Sequence, residues 1–236
     1  FVTDQVTADL QNLASGGAAM HGKFVHLYLD GLYWGLYNLH ERPDEHFATD
    51  YYGGNEDDTF VVKHSTNDID GLKYTWVNGG LAAEEAYDDL LIASRQNMAI
   101  AANYEAVEQI LDVEQFIDYM IVHMYAGNEN DWPHNNWYAT FDSASPGGKW
   151  RFHAWDQEHA FPTDDNGDSF TQFVDLTDDQ DEQTPAEIFA NLIDNAEFRL
   201  EFSDRVEALM TNDGLLTPVV AQAVYEARTD EIDQAI

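Results

Sequence analysis

Cysteine is absent from the 236 residues, which removes structural disulfides, thiolate metal sites and cysteine nucleophiles together. Cations are scarce as well. Ten Lys and Arg stand against 45 Asp and Glu, a formal charge of −35, and the lysines are Lys23, Lys63, Lys73 and Lys149 alone. A surface of that sign repels phosphate backbones and anionic lipid, so nucleic acid and membrane surfaces are excluded as partners. No run approaches about 18 uninterrupted apolar residues, so no membrane-spanning helix is expected. The chain opens at Phe1 with neither Met nor a charged-then-apolar leader. It reads as a processed or excised piece whose export signal, if it has one, lies out of sight. Also missing are a Ser-His-Asp order, a Gly-x-Ser-x-Gly elbow and a dinucleotide fingerprint.

What is present is ample core: 44% of residues are hydrophobic and 13% aromatic, enough for one large domain or a two-lobed one. The acidic excess has two readings, many Ca²⁺ sites or adaptation to salt, and the second is the simpler. At molar salt the screening length falls to about 3 Å, against about 10 Å at 0.1 M, and most of the self-repulsion disappears. Asp164-Asp165-Asn166-Gly167-Asp168 is cation-loop-like, but it lacks EF-hand spacing and the distal Glu and is read as a solvated turn.

Periodicity organises the chain as α+β. Val6, Leu10 and Leu13 mark a helix over residues 3–14, closed by Ser15-Gly16-Gly17. Strands at 23–29 and 32–39 flank Asp30-Gly31, a dipeptide suited to a type I′ hairpin turn. A short helix follows Pro43, and Thr59–His64 reads as a strand. Residues 65–80 are polar and Gly-rich and read as loop. Helices are expected at 82–100, 103–111 and 113–126, strands at 136–142 and 149–155, and helices at 185–194, 197–210 and 218–234, with an acidic loop over 162–184.

The chemistry concentrates in two segments. Gly127-Asn128-Glu129-Asn130-Asp131-Trp132-Pro133-His134-Asn135-Asn136 follows an apolar helix, and Trp155-Asp156-Gln157-Glu158 follows a strand twenty residues on. Protein kinases place a catalytic Asp, a metal-binding Asn five residues later and a second metal-binding Asp in this order. The five-residue offset selects Asn136 over Asn135, opposite Asp131. Asp156, at the end of an apolar strand, is expected to be buried and therefore bound to metal, because an unpaired buried carboxylate is costly. Hard oxygen donors favour Mg²⁺ or Mn²⁺ over zinc, which leaves His153 and His159 structural.

The segment Phe24-Val25-His26-Leu27-Tyr28-Leu29-Asp30-Gly31-Leu32-Tyr33-Trp34-Gly35-Leu36-Tyr37-Asn38-Leu39-His40-Glu41-Arg42-Pro43-Asp44, together with 116–161, resembles the CotH kinase family, named after spore coat protein H. The resemblance spans most of residues 20–161. It implies a protein-kinase-like two-lobed fold, with residues 1–42 the remnant of a small N-lobe and 43–236 a mainly helical C-lobe; a compact single-lobe α+β domain is the alternative. It implies Mg²⁺- and ATP-dependent phosphoryl transfer to Ser or Thr hydroxyls of a protein, by a secreted or surface-borne bacterial enzyme. Asp131 would orient the hydroxyl, Asn136 and Asp156 would hold metal with Glu158 beside them, and Glu41 and Lys63 would face the nucleotide. Family members commonly read Asp-x-Asp where this chain has Asp156-Gln157-Glu158.

A kinase also needs a Gly-rich phosphate loop and a strand Lys paired with a helix Glu. Neither precedes the hairpin here, and the first helix offers only Asp4 and Asp9. Either the first part of the N-lobe lies upstream of Phe1 or this member has lost that machinery, and the natural product is expected to extend upstream of Phe1. Two rival functions are a nucleotide- or metal-binding pseudokinase scaffold and an acidic Ca²⁺-ordered extracellular binding module.

Overall fold

The computed structural model describes residues 2–17, 19–65, 71–128, 132–145, 147–162 and 182–233. Helix α1 (Thr3–Ser15) leads into a hairpin of β1 (Gly22–Leu29) and β2 (Leu32–His40). Its turn is the expected one: Asp30 and Gly31 both adopt positive φ, 51° and 82°, the conformation that a I′ turn demands. Helix α2 (Glu45–Tyr52) is N-capped by Asp44, whose carboxylate accepts from Phe47 N at 3.1 Å.

Strands β3 (Thr59–His64), β4 (Tyr74–Asn78), β5 (Trp137–Asp142) and β6 (Arg151–Ala154) form an antiparallel sheet in the order β4-β3-β5-β6. Strand β4 corrects the loop expected over 65–80. Its residues Tyr-Thr-Trp-Val-Asn bury Tyr74 but leave Trp76, two positions on along the same face, half exposed, so this five-residue stretch lacks the clean alternation that would mark a strand against its polar flanks.

Helices α3 (Leu81–Ser94), α4 (Ala101–Glu108), α5 (Val113–Ala126), α6 (Pro185–Leu192), α7 (Ala196–Met210) and α8 (Pro218–Asp233) complete the α+β fold. The expected acidic loop over 162–184 lies mostly outside the described residues. Helix α5 is the spine. Asp112 caps its start, Gly127 ends it at φ 65°, and Phe116, Tyr119, Met120 and Ile121 are buried. Phe116 and Tyr119 pack on Phe152 of β6, which with Trp137 and Tyr87 extends the aromatic core across the sheet.

Strand β6 lies at the sheet edge, where its outward N–H and C=O groups would be orphaned. Two buried glutamines serve them. Gln115 of α5 accepts from Phe152 N at 2.9 Å and donates to Phe152 O at 2.5 Å. Gln11 of α1 donates to Phe152 O and accepts from Ala154 N, both at 2.7 Å.

The arginines fasten elements together. Arg205 of α7 forks onto Asp118 of α5 and reaches Ala14 O at 2.8 Å. Arg228 of α8 holds Asp9 of α1 and Gly22 O of β1, and Arg95 holds Glu187. The hairpin is attached by Asn38 Nδ2, which donates to Gln5 Oε1 at 3.2 Å, and by Phe24 N, which donates to Glu231 Oε1 at 3.1 Å. Much of the rest of it is open: Tyr28, Leu32, Trp34 and Leu39 are all more than half exposed.

Candidate active site at one end of the four-stranded sheet

Antiparallel topology brings the chemistry together. With β5 running against both β3 and β6, the last residues of β3, the first of β5 and the last of β6 meet at one end of the sheet. Lys63 pairs with Tyr138, and Tyr138 with His153. Asn136 N donates to His64 Nδ1 at 2.9 Å, and Asn136 Nδ2 donates to Asp156 O at 3.0 Å. Residues 63–64, 136 and 156, remote along the chain, are thus neighbours.

Asn136 and Asp156 both hold left-handed backbone, φ 59° and 55°. Asn and Asp tolerate this region better than most side-chain-bearing residues, and such outliers gather at functional sites. Asn136 uses its amide N–H on the Asp156 carbonyl, which leaves its Oδ1 as the group it can offer to a cation.

Asp156 is exposed, which corrects the expectation of a buried carboxylate requiring metal. The main chain beside it is what the protein encloses: Gln157 is fully buried, and its N donates to Asp4 Oδ1 at 2.7 Å. Burial raises the Asp4 carboxyl above its ordinary value. The Gln157 N–H and His40 oppose the shift, while the charges of Asp156 and Glu158 add to it. The start of α1 therefore contributes a carboxylate to the neighbourhood of Asp156, a role that helical periodicity alone does not reveal.

Glu158 extends an exposed side chain, with Oε1 3.8 Å from His159 Nε2, and its backbone oxygen accepts from Thr3 Oγ1 at 3.0 Å. Buried His153 meets Thr140 Oγ1 at 2.8 Å, in keeping with a structural role. Glu41 is engaged with the hairpin and α2. It accepts from His21 N at 2.9 Å and from the Tyr51 hydroxyl at 2.8 Å. Burial alone would raise its pKa, but these bonds and the His21 ring hold it below the ordinary value. Asp131 lies outside the described residues.

Arg42 is the neighbour that sequence reasoning passed over. Its Nε and Nη2 donate to the Tyr138 hydroxyl at 3.1 and 2.8 Å, and its guanidinium sits 5.7 and 5.8 Å from the Tyr138 and Trp155 ring centroids. Residues directly opposite in an antiparallel pair share a face, so Lys63 and Arg42 both flank Tyr138. Two of ten cations converge here, in a chain of charge −35.

Among the described residues no three His, Asp or Glu side chains are grouped as a ready metal cage. Mg²⁺ needs none: it is commonly held by one or two carboxylates together with substrate phosphates and water. Exposed Asp156, the Asn136 amide oxygen and the two nearby cations fit a magnesium-bearing phosphate ligand. Zinc, which takes four close protein donors in structural sites and three in catalytic ones, would be poorly served.

A family model described as CotH kinase protein matches residues 1–236. The chain belongs to the CotH kinase family. The match covers the hairpin, the loop after α5 and the β6 end alike, so the converged residues all lie within the matched region, and the family suggests a kinase-like function. A comparison with curated proteins returned no match.

Proposed function

We propose that this CotH kinase family member transfers the terminal phosphoryl group of ATP, with Mg²⁺ or Mn²⁺, to Ser or Thr hydroxyls of a protein outside the bacterial cell. The reading is carried by one observation: hard oxygen donors at Asn136 and Asp156 adjoin Lys63 and Arg42 at a single end of the sheet. Phosphoryl transfer asks mainly for positioning and charge neutralisation, and this set of side chains is suited to both. Asn136 and Asp156 would hold the metal, with Glu158 as an adjacent oxygen donor. Lys63 and Arg42 would neutralise phosphate charge, and the chain near Glu41 would receive the adenine. Asp131 would accept the proton of the acceptor hydroxyl, a general-base contribution of about 10²–10⁴. When bound, the metal supplies charge neutralisation across the phosphates. The two-lobed architecture, with 1–42 in the smaller lobe, and export from the cell belong to the same reading.

The test is label transfer from γ-labelled ATP to a generic protein acceptor with Mg²⁺ present, comparing the parent with Asp156→Ala. The parent is expected to label the acceptor and the variant to lose at least about a hundredfold in rate, the scale of removing one preorganised charge-stabilising group. Transfer that survives Asp156→Ala would remove that residue from the mechanism. An ATP- and Mg²⁺-dependent thermal shift without transfer would indicate nucleotide binding alone.

A further inference from the structure

Gln157 is fully buried between two exposed acids, Asp156 and Glu158, and every polar group of its side chain is committed. Its Nε2 donates to Asn136 O at 3.0 Å and to Trp155 O at 2.8 Å. Its Oε1 accepts from Asn128 Nδ2 at 3.0 Å. Asn136 Nδ2 meanwhile donates to Asp156 O. The result is a closed ring: Asn136 side chain to Asp156 carbonyl, along the main chain to Gln157, and from the Gln157 amide back to the Asn136 carbonyl. Asn136 and Asp156, both with left-handed backbone, are the two residues that the ring holds. Asn128, buried in the loop after α5, has no partner for its Oδ1 among the described residues.

We infer that Gln157 is the positioning residue that fixes Asn136 and Asp156 relative to each other for a divalent cation–nucleotide ligand, an inference that rests on the function proposed above. The chemistry is specific to an amide. Two carbonyl oxygens need two N–H donors, and Asn128 needs an acceptor on the same group. Glutamate would turn a carboxylate onto two carbonyls, and methionine would fill the volume but leave both carbonyls orphaned. Residues that orient metal ligands without touching the metal typically cost 10–100-fold in affinity when changed.

The experiment is a titration of Mn²⁺ in the presence of ATP, with free Mn²⁺ read from its electron paramagnetic resonance signal, on the parent, Gln157→Met and Gln115→Met. Gln115 is the control: it is buried, it also bonds the main chain of β6, and its partner Phe152 precedes Asp156 by four residues. Gln157→Met is expected to weaken Mn²⁺ binding at least about tenfold, and Gln115→Met to change it less than about threefold despite a comparable fall in Tm. Asn128→Ala, which frees the Gln157 amide without deleting it, is expected to fall between and supplies the answer if Gln157→Met does not fold. A parent that takes up Mn²⁺ with ATP alongside a Gln157→Met or Asn128→Ala that takes it up equally well overturns this inference alone. A parent that takes up none overturns the proposed function with it.

Discussion

His123 offers the sharpest test of how the core is built. Its ring lies on α5, completely buried, 4.2 Å centroid to centroid from Tyr119 and 4.8 Å from Trp132. Nδ1 lies 2.9 Å from Tyr119 O, while Nε2 has no partner among the described residues. The carbonyl accepts, so Nδ1 carries the proton and Nε2 is a buried bare acceptor. Burial drives the pKa from 6.5 to about 4. Because the folded value lies below the unfolded one, protonation favours the unfolded chain. The stability is intact above about pH 6.5 and is lost as pH falls toward 4. Over the whole window the loss is about 3 kcal/mol, and between pH 7 and pH 5 about 2 kcal/mol. For a domain of this size that is about 4–8 °C in Tm. His123→Phe keeps the aromatic contacts and deletes the titrating group. Its Tm relative to the parent is expected to rise by about that amount when melting is measured at pH 5 instead of pH 7. Any fixed packing cost of the larger ring cancels in the comparison, as do the carboxylates common to both proteins. A Tm difference that stays constant between the two pH values would refute the reasoning.

Two further outcomes follow from the charge distribution. Arg205→Met strands Asp118, whose side chain is 3% exposed and whose carboxyl burial already raises against the pull of Arg205. A loss of about 3–5 kcal/mol in chemical denaturation is expected, largely recovered by Asp118→Leu in the same chain, whereas a loss below about 1 kcal/mol would refute this. Tm is expected to climb between 0.1 and 2 M NaCl as screening shortens from about 10 Å to under about 3 Å; a flat or falling curve would show that the −35 charge is not the dominant strain.

Local rules carried the elements whose signals are local. Thr59–His64 was legible residue for residue, the Asp30-Gly31 turn by its chemistry, and α5 by the helical periodicity of its apolar residues over 113–126. Strand β4 was not legible, because five residues pair only once β3 is in place. Leu13, expected on the buried face of α1 with Val6 and Leu10, is largely exposed. In the site, residue types and spacing pointed to Asn136 and Asp156, and the order of strands in the sheet then made them neighbours. The environment of Asp156 was misjudged because a strand end reads as buried in sequence, while here the chain turns outward at positive φ. Arg42 escaped notice because its partner Tyr138 is 96 residues away. Gln157 looks like a departure from an acidic motif until its four hydrogen-bond partners are in view.

The glutamine seal along β6 has a consequence for the protein in brine. Once salt has screened the repulsion between copies, charge no longer prevents one molecule's strand from zipping onto another's. A bare β6 would then be a seed for fibres. Gln11 and Gln115 already occupy its outward hydrogen-bonding groups at Phe152 and Ala154, and this protection, being geometric, does not fade as the ionic strength rises.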